Sequence, residues 1–124
     1  MTPTGHTTEF MTFRVREGKE ARAGEWMKLL RERQRECVAT LDRERMRFES
    51  IFALQRDGRL YLSWLSVQGD GGASVKTSEH EIDRLHMAFW RECIDDAWTP
   101  EKHEHVVDFV PDDVARAMFP PGVP

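Results

Sequence analysis

The sequence lacks the features that mark secreted, membrane-spanning and nucleic-acid-binding proteins. Only two of its 124 residues are cysteine, Cys37 and Cys93, which favours reduced thiols over a disulfide framework. No apolar run approaches the ~20 residues that span a bilayer, and the polar N-terminus does not resemble a signal peptide. Basic residues alternate with acidic ones at a net charge of −4, so a nucleic-acid surface is not expected. We therefore predict a cytoplasmic protein without nucleic-acid or membrane partners.

Internal repeats and low-complexity linkers are also missing, which favours a single domain. With 40% hydrophobic and 32% charged residues, the composition is that of a globular chain. A chain of this length buries roughly two-thirds of its unfolded surface, so one core is feasible without disulfides. We predict a flexible N-terminus over residues 1–9, the folded domain over residues 10–110 and a C-terminal extension over residues 111–124.

The residue pattern predicts one strand and two amphipathic helices. Residues 10–15 alternate between apolar and polar side chains, as a half-buried strand does. The proline-free stretch 19–44 has apolar residues at steps of three and four, which is typical of a long helix with one buried stripe. Ser78 and Glu81 fit a capping box, which predicts a second helix over residues 79–96.

A hairpin is predicted between these helices. Asp57-Gly58 lies between two runs rich in aromatic and β-branched residues, which is the strongest short-range signal for a two-residue hairpin turn. This turn fixes the register of the two strands. The expected cross-strand pairs are Leu54 with Tyr61, Phe52 with Ser63, Ser50 with Leu65, Ile51 with Trp64 and Glu49 with Ser66.

The remaining segments predict a loop, a last strand and a short helix. The glycine-rich residues 69–72 favour a flexible loop. Residues 105–110 include valine and phenylalanine and end at Pro111, which indicates a final strand. Residues 112–119 allow one short helix before the prolines at 120 and 121.

The order strand, helix, strand, strand, helix, strand predicts an α+β fold of the ferredoxin-like βαββαβ type. Its antiparallel four-stranded sheet would carry two helices on one face. The hairpin strands, however, have large apolar side chains on both faces, and two helices cover only one face. Leaving the second face in water forgoes several kcal/mol of burial at about 25 cal/mol per Å². We therefore expect a homodimer that pairs sheet against sheet.

The residues also resemble a known superfamily, the dimeric α/β-barrel proteins, in which two ferredoxin-like protomers stack their sheets. Within it, the chain is similar to a small bacterial family of uncharacterised proteins over residues 10–110. The resemblance is carried by Phe13-Arg14-Val15, Glu25-Trp26-Met27, Phe48-Glu49-Ser50-Ile51-Phe52, Ser66-Val67-Gln68-Gly69 and Glu81-Ile82-Asp83, followed by His86, Phe89-Trp90 and Cys93. The superfamily includes cofactor-independent monooxygenases, cyclases, haem-degrading enzymes, isomerases and stress-responsive proteins, so the resemblance implies no single activity.

His86 and Glu49 are the candidate catalytic residues. His86 occupies a position on the apolar stripe of the second helix, where a neutral imidazole would act as a general base or instead complete one structural hydrogen bond. Glu49 stands among apolar residues of the hairpin. It would act as an acid/base carboxylate in a partly dry cleft, or form a buried structural ion pair with Arg14 or Arg47 across the dimer.

Other side chains are candidates for ligand binding. Aromatic residues are suited to a flat organic ligand, although aromatic residues at such spacing also fill ordinary cores. Ser66 is the expected neighbour of Glu49, and His80 lies near a helix N-terminus, where anions bind. The predicted ligand-binding residues are Trp64, Tyr61, Trp90, Ser66 and His80.

The spacing of the histidines does not favour a metal or haem site. His80 and His86 are six residues apart, about 240° around a helix, and therefore do not share one face. A single histidine without an attachment motif is weak evidence for haem. We predict neither a metal nor a cofactor, and keep metal or haem binding as the third hypothesis.

Three functions follow from these residues. The first is a cofactor-independent enzyme of the isomerase, cyclase or monooxygenase type that acts on a small organic substrate by proton transfer. The second is a non-catalytic protein that binds a small ligand or a partner. The third is a metal- or haem-binding protein. In each case the partner expected on the sheet face is a second copy of the chain.

Overall fold

A computed structural model describes residues 6–69 and 72–119, which form a mixed α+β fold. Within these residues the strands run antiparallel in one sheet, in the order β2-β3-β1-β4. The elements in chain order are β1 (His6–Arg14), α1 (Glu20–Glu32), α2 (Gln34–Leu41), β2 (Met46–Arg56), β3 (Arg59–Gly69), a 3₁₀ turn (Val75–Thr77), α3 (Glu81–Cys93), β4 (Glu101–Lys102) and α4 (Asp112–Met118). The predicted α+β class with an antiparallel sheet is confirmed.

The core lies between one face of the sheet and the helices α1 and α3. Trp26 from α1 and Cys93 from α3 are 0% exposed, and Leu62 from β3 is 2% exposed. Val15, just after β1, is 1% exposed and is bridged to Ile94. These residues belong to the apolar stripes of their helices and to one face of their strands, so amphipathic periodicity explains the position of the core.

The hairpin has the register that the Asp57-Gly58 turn predicts. Both turn residues have positive φ, 53° and 73°, as a type I′ turn requires. Leu54 pairs with Tyr61, and Glu49 pairs with Ser66. Because side chains alternate along a strand, Glu49 lies on the same face as the core residue Leu62, towards the helices.

The prediction of one long helix over residues 19–44 is wrong. The structure has two helices, α1 and α2, that meet at Arg33, whose φ of −108° and ψ of 33° are not helical. Residues 31–36 contain no apolar side chain. The buried stripe is therefore interrupted there, and no packing face holds the two halves on one axis.

The prediction of a last strand over residues 105–110 is also wrong. The strand β4 comes earlier, where Glu101 pairs with Thr12 of β1, and one further backbone hydrogen bond joins His103 to Phe10. Val106 and Phe109 are 84% and 91% exposed. Residues 105–110 have the composition of a strand, but they adopt no strand conformation and contact β1 through the side chain of Asp108 instead.

The start of β1 and both ends of α3 differ from the prediction. The strand β1 begins at His6, so the predicted flexible N-terminus is wrong for residues 6–9, and residues 1–5 lie outside the described part of the chain. The capping box is not formed: the Ser78 hydroxyl accepts from the His80 amide, and α3 starts at Glu81 without a side-chain cap. The helix α3 ends at Cys93, earlier than the expected residue 96.

The predicted C-terminal helix is confirmed as α4. The segment before it is anchored to β1, where the Thr8 hydroxyl donates to Asp108 at 3.0 Å. Its end is anchored to β2, where Arg47 donates to the carbonyl oxygen of Met118 at 2.7 Å. The predicted loop at residues 69–72 and the prolines at 120 and 121 lie partly or wholly outside the described residues.

On the face of the sheet opposite the core, large apolar side chains stay accessible. They are Phe48, Phe52 and Leu54, which are 47%, 50% and 44% exposed. In the part of the chain that the structure describes, no helix has the length and apolar character that crossing a bilayer requires.

Candidate functional site

A cavity of about 1110 Å³ opens between the helices and the sheet beside the core. The helices α1, α2 and α3 form its roof, and β1, β2 and β3 form its floor. It lies where α2 turns away from α1 at Arg33, so the same break that ends α1 leaves part of the helix-facing surface of β2 uncovered. The exposed Ala53 and half-exposed Ile51 lie on this surface.

One wall of the cavity is aromatic. Trp64 from β3 and Trp90 from α3 both line it, with ring centroids 5.0 Å apart. Phe13 from β1 packs edge-on against Trp90 at 4.7 Å. Trp64 is only half-buried, so this wall offers aromatic surface to a ligand as well as filling the core.

His86 lines the cavity and is held by Trp26. The indole Nε1–H of Trp26 donates to Nδ1 of His86 at 3.0 Å. Because an indole N–H is only a donor, Nδ1 must be the unprotonated nitrogen, and the neutral ring carries its hydrogen on Nε2. Burial lowers the pKa of His86, which stabilises this neutral form. His86 is therefore a hydrogen-bond donor through Nε2. The bond from Trp26 is the single structural hydrogen bond that the sequence analysis gave as the alternative to a general base.

Glu49 lies on the cavity floor, beside Ser66 on the neighbouring strand. Its carboxylate is open to the cavity, but partial desolvation and the negative charge of Asp83 raise its pKa. The ion pair of Glu49 across a dimer stays a prediction, and within one chain both arginines have other partners. Arg14 binds Asp95 at 2.8 Å, and Arg47 binds the Met118 carbonyl.

Three further carboxylate residues line the cavity, Glu9, Glu44 and Asp83, and the sequence analysis predicted none of them as site residues. Asp83 from α3 is 6% exposed, and its Oδ2 has no hydrogen-bond partner among the described residues. Burial, followed by the charges of Asp83 and Glu49, raises the pKa of Glu44 to about 7. Asp83 precedes the stripe residue His86 by one helical turn, which is the signal that identifies it in retrospect.

Glu44 is positioned by a tight turn that leads into β2. Arg45 has a positive φ of 55°. Its carbonyl accepts from the Gly69 amide at 2.8 Å, and that of Arg43 accepts from the Ala73 amide at 3.0 Å. Gly72 packs directly on the backbone of Glu44, where a Cβ atom would collide with the carbonyl group. Nothing in the periodicity of the sequence marks this turn, so Glu44 could not be placed from the sequence.

The remaining predicted site residues are divided between two faces. Trp64, Trp90 and Ser66 line the cavity with Glu49 and His86. Tyr61 does not join them: it is buried on the opposite face of the sheet, 5.3 Å from the ring of Trp98. His80 is exposed at the start of α3 and is not part of the cavity lining.

No group of three His, Cys, Asp or Glu side chains within residues 6–69 and 72–119 is arranged to hold a metal ion. Both cysteines are free, and burial is the main cause that raises the pKa of each thiol. Neither is therefore an activated nucleophile. The chemistry that the cavity offers is that of carboxylates with raised pKa, one imidazole donor and an aromatic wall.

The comparison with protein families gives one result. Residues 6–115 match the model of a family of unknown function, DUF6176. The chain belongs to this family. The expectation of an uncharacterised small-protein family is thereby confirmed. Neither the curated proteins nor the solved structures include a significant match.

Proposed function

We propose that the cavity is an active site that moves a proton on a small organic substrate without a cofactor. The observation that carries the proposal is the set of carboxylates facing one cavity beside a neutral imidazole donor. With its pKa raised to about 7, Glu44 exchanges a proton near neutral pH, which is the condition for efficient general acid–base catalysis.

The chemistry that fits best is an isomerisation next to a carbonyl group. A carboxylate, Glu44 or Glu49, would take a proton from the carbon beside the carbonyl, and His86 Nε2–H would donate a hydrogen bond to the developing enolate oxygen. The carboxylic acid would then return the proton to a different carbon, so no other reactant is needed. An isomerase or cyclase type is favoured over a monooxygenase because the latter also requires dioxygen.

The proposal is tested by solvent exchange. A panel of small ketones and aldehydes is incubated with the protein in deuterated buffer, and loss of the α-hydrogen signal is followed by proton NMR. The account expects acceleration by the wild-type protein. It also expects about a tenfold or greater loss of rate in Glu44→Gln or Glu49→Gln.

The matched control is Glu79→Gln, which changes an exposed glutamate outside the cavity and should leave the rate unchanged. If a compound binds in the cavity without any exchange, the protein is a non-catalytic ligand-binding protein. If the control variant loses as much of the exchange rate as the cavity variants do, the cavity carboxylates have no specific role in exchange.

We further propose that the fold is ferredoxin-like and that two copies pair through the outer sheet face. The strand order β2-β3-β1-β4, with helices after β1 and after β3, supports the ferredoxin-like assignment. The accessible Phe48, Phe52 and Leu54 support a second copy as the occupant of this face, because burying them there recovers hydrophobic free energy.

Light scattering tests the pairing. The wild-type protein should have twice the mass of the chain, and Phe52→Lys should produce monomers. Gln55→Lys is the matched control, because it places the same charge on the same strand but on the opposite face. A wild-type protein that stays monomeric at high concentration would contradict this part of the proposal.

A further inference from the structure

The charges that line the cavity are unbalanced. Among the described residues, Glu9, Glu44, Glu49 and Asp83 contribute carboxylates to the lining. Arg31, on an exposed part of α1, is the only lysine or arginine among the described residues of the lining. None of the four carboxylates forms an ion pair with a described Lys, Arg or His.

Elsewhere on the molecule, carboxylates of comparable exposure are paired. Asp95 binds Arg14 at 2.8 Å, Glu92 binds Arg22 at 3.0 Å and Lys19 at 3.2 Å, and Glu101 binds Arg56 at 2.6 Å. Cations are thus abundant near other acids. The lack of them is a local property of the cavity, not a consequence of the net charge of −4.

Asp83 points to a donor that the described chain does not supply. Its side chain is among the buried polar groups at 6% exposure, it lines the cavity, and its Oδ2 accepts no hydrogen bond from a described residue. An unpartnered buried carboxylate oxygen is costly, and a ligand with N–H donors and positive charge would satisfy it.

The aromatic wall provides the complementary surface. Trp64 and Trp90 form it. Trp64 pairs across the strands with Ile51, and Ile51 is the next residue after Glu49 on the same face of β2, so Trp64 lies close to Glu49. Indole faces attract cations, and the attraction grows when the site is partly desolvated. Carboxylates next to indole rings are the combination that recognises an ammonium group on an apolar body.

We propose that the ligand of this cavity is an organic cation, a small apolar molecule that carries a protonated amine. This inference rests on the proposed function, because it names the substrate class of the same site. A bare divalent ion is a poorer occupant, since the described His, Cys, Asp and Glu side chains form no group that could hold a metal.

Binding of such a cation should depend on pH through Glu44. The groups that act on Glu44 are Asp83 from α3, Glu49 from β2, the neighbouring Arg43 and the hydroxyl of Thr40. Because its pKa is about 7, Glu44 is largely protonated at pH 6 and largely ionised at pH 8. A cationic ligand should therefore bind more tightly at pH 8, whereas a neutral ligand of the same shape should not.

The experiment compares phenethylamine with phenethyl alcohol, which have similar shape but differ in charge. Binding to the full-length protein is measured by calorimetry at pH 8 and low salt. The inference predicts that the amine binds about tenfold or more tightly than the alcohol. Asp83→Asn and Glu49→Gln should each weaken amine binding at least about fivefold and leave alcohol binding within about twofold.

Two variants and a change of salt concentration control for loss of folding and for non-specific effects of charge. Glu49 is accessible, so Glu49→Gln tests the idea even where Asp83→Asn perturbs folding. Glu79→Gln should bind both compounds as the wild-type protein does. Added salt should weaken only amine binding, because screening acts on the charge of the ligand.

The outcomes separate this inference from the proposed function. Equal binding of amine and alcohol, with ketone exchange still lost in Glu44→Gln, overturns the organic cation but keeps the proton-transfer site. Preference for the amine without any exchange supports the cation and rejects catalysis. If neither compound binds and no exchange occurs, both proposals are rejected.

Discussion

The two ends of the space between helices and sheet differ in packing and in charge. At the closed end, Val15, Trp26 and Cys93 are 1% exposed or less, and the nearby Asp95 is paired with Arg14. At the open end, the helix-facing Ile51 stays half-exposed and the carboxylates have no partner cation. The closed end therefore stabilises the fold, whereas the open end leaves carboxylates without partner cations and apolar surface partly uncovered, as a ligand-binding site does.

The boundary between these ends is the break at Arg33. Before it, α1 carries Trp26 on a continuous stripe that packs against the sheet. After it, α2 buries only Thr40 and leaves Val38 58% exposed. Trp26 also connects the two ends, because its ring is in the core while its N–H holds His86 in the cavity.

The largest expected effect comes from the closed end. Trp26→Ala should lower the free energy of unfolding by about 3–5 kcal/mol, as the loss of a large buried aromatic side chain does. Ile51→Ala, at the open end, should cost less, about 1–2 kcal/mol, because that side chain is only partly buried beside the cavity. Urea denaturation measures both. If both variants lose a similar free energy of unfolding, the two ends do not differ in packing.

Neutralising one acid at each end should have opposite effects. Asp95→Asn should lower the melting temperature, since Arg14 then loses its partner. Asp83→Asn should raise the free energy of unfolding by about 1 kcal/mol at pH 8, because it removes an unpaired buried charge near two other carboxylates. Thermal melts of the two variants decide the matter. Destabilisation by both would indicate that Asp83 has a partner.

The pH dependence of stability sharpens the same contrast. The folded-state pKa of Glu44 is about 7, above its usual value, so between about pH 5 and pH 7 the folded state holds a proton that the unfolded state has lost. Glu44 therefore destabilises the fold increasingly as pH rises. Relative to Glu44→Gln, the wild-type protein should lose about 1 kcal/mol from pH 5 to pH 8, after allowance for partial exposure. If the free energies of unfolding of the wild-type protein and Glu44→Gln change in parallel with pH, this prediction is contradicted.

The smallest effect is expected on the outer surface of α1. Lys28 and Glu32 lie 3.8 Å apart with both side chains largely exposed. Lys28→Ala should change the free energy of unfolding by less than about 0.5 kcal/mol, as solvated ion pairs do. A larger change in the free energy of unfolding, measured by urea denaturation, would show that this surface ion pair stabilises the fold more than its exposure predicts.

The sequence predicted the fold well where local rules act alone. The Asp57-Gly58 turn fixes the hairpin register by its backbone geometry, and that register places Glu49 beside Ser66. The stripe on α3 placed His86 towards the sheet. The break at Arg33 was missed because residues 19–44 contain no proline and only one glycine, so the propensities alone favour an uninterrupted helix.

The site was predicted only in part, for a physical reason. Glu49 and His86 stood out because they interrupt apolar patterns. Asp83 and Glu44 did not, since acidic residues in the first turn of a helix and in a turn before a strand are usually solvated. Their burial and mutual repulsion arise only from tertiary packing, such as the contact of Gly72 with Glu44. The hydrogen bond from Trp26 to His86 could not be predicted from the sequence either, because it depends on how α1 packs against α3.

Carbon-13 NMR of the carboxyl groups, titrated from pH 3 to pH 9, tests most directly whether the acids of the cavity lack partner cations. One glutamate carboxyl should titrate near pH 7, disappear in Glu44→Gln and titrate at lower pH in Asp83→Asn. If every glutamate titrates below about pH 5, the cavity carboxylates are fully solvated or paired, and they do not lack partners as proposed.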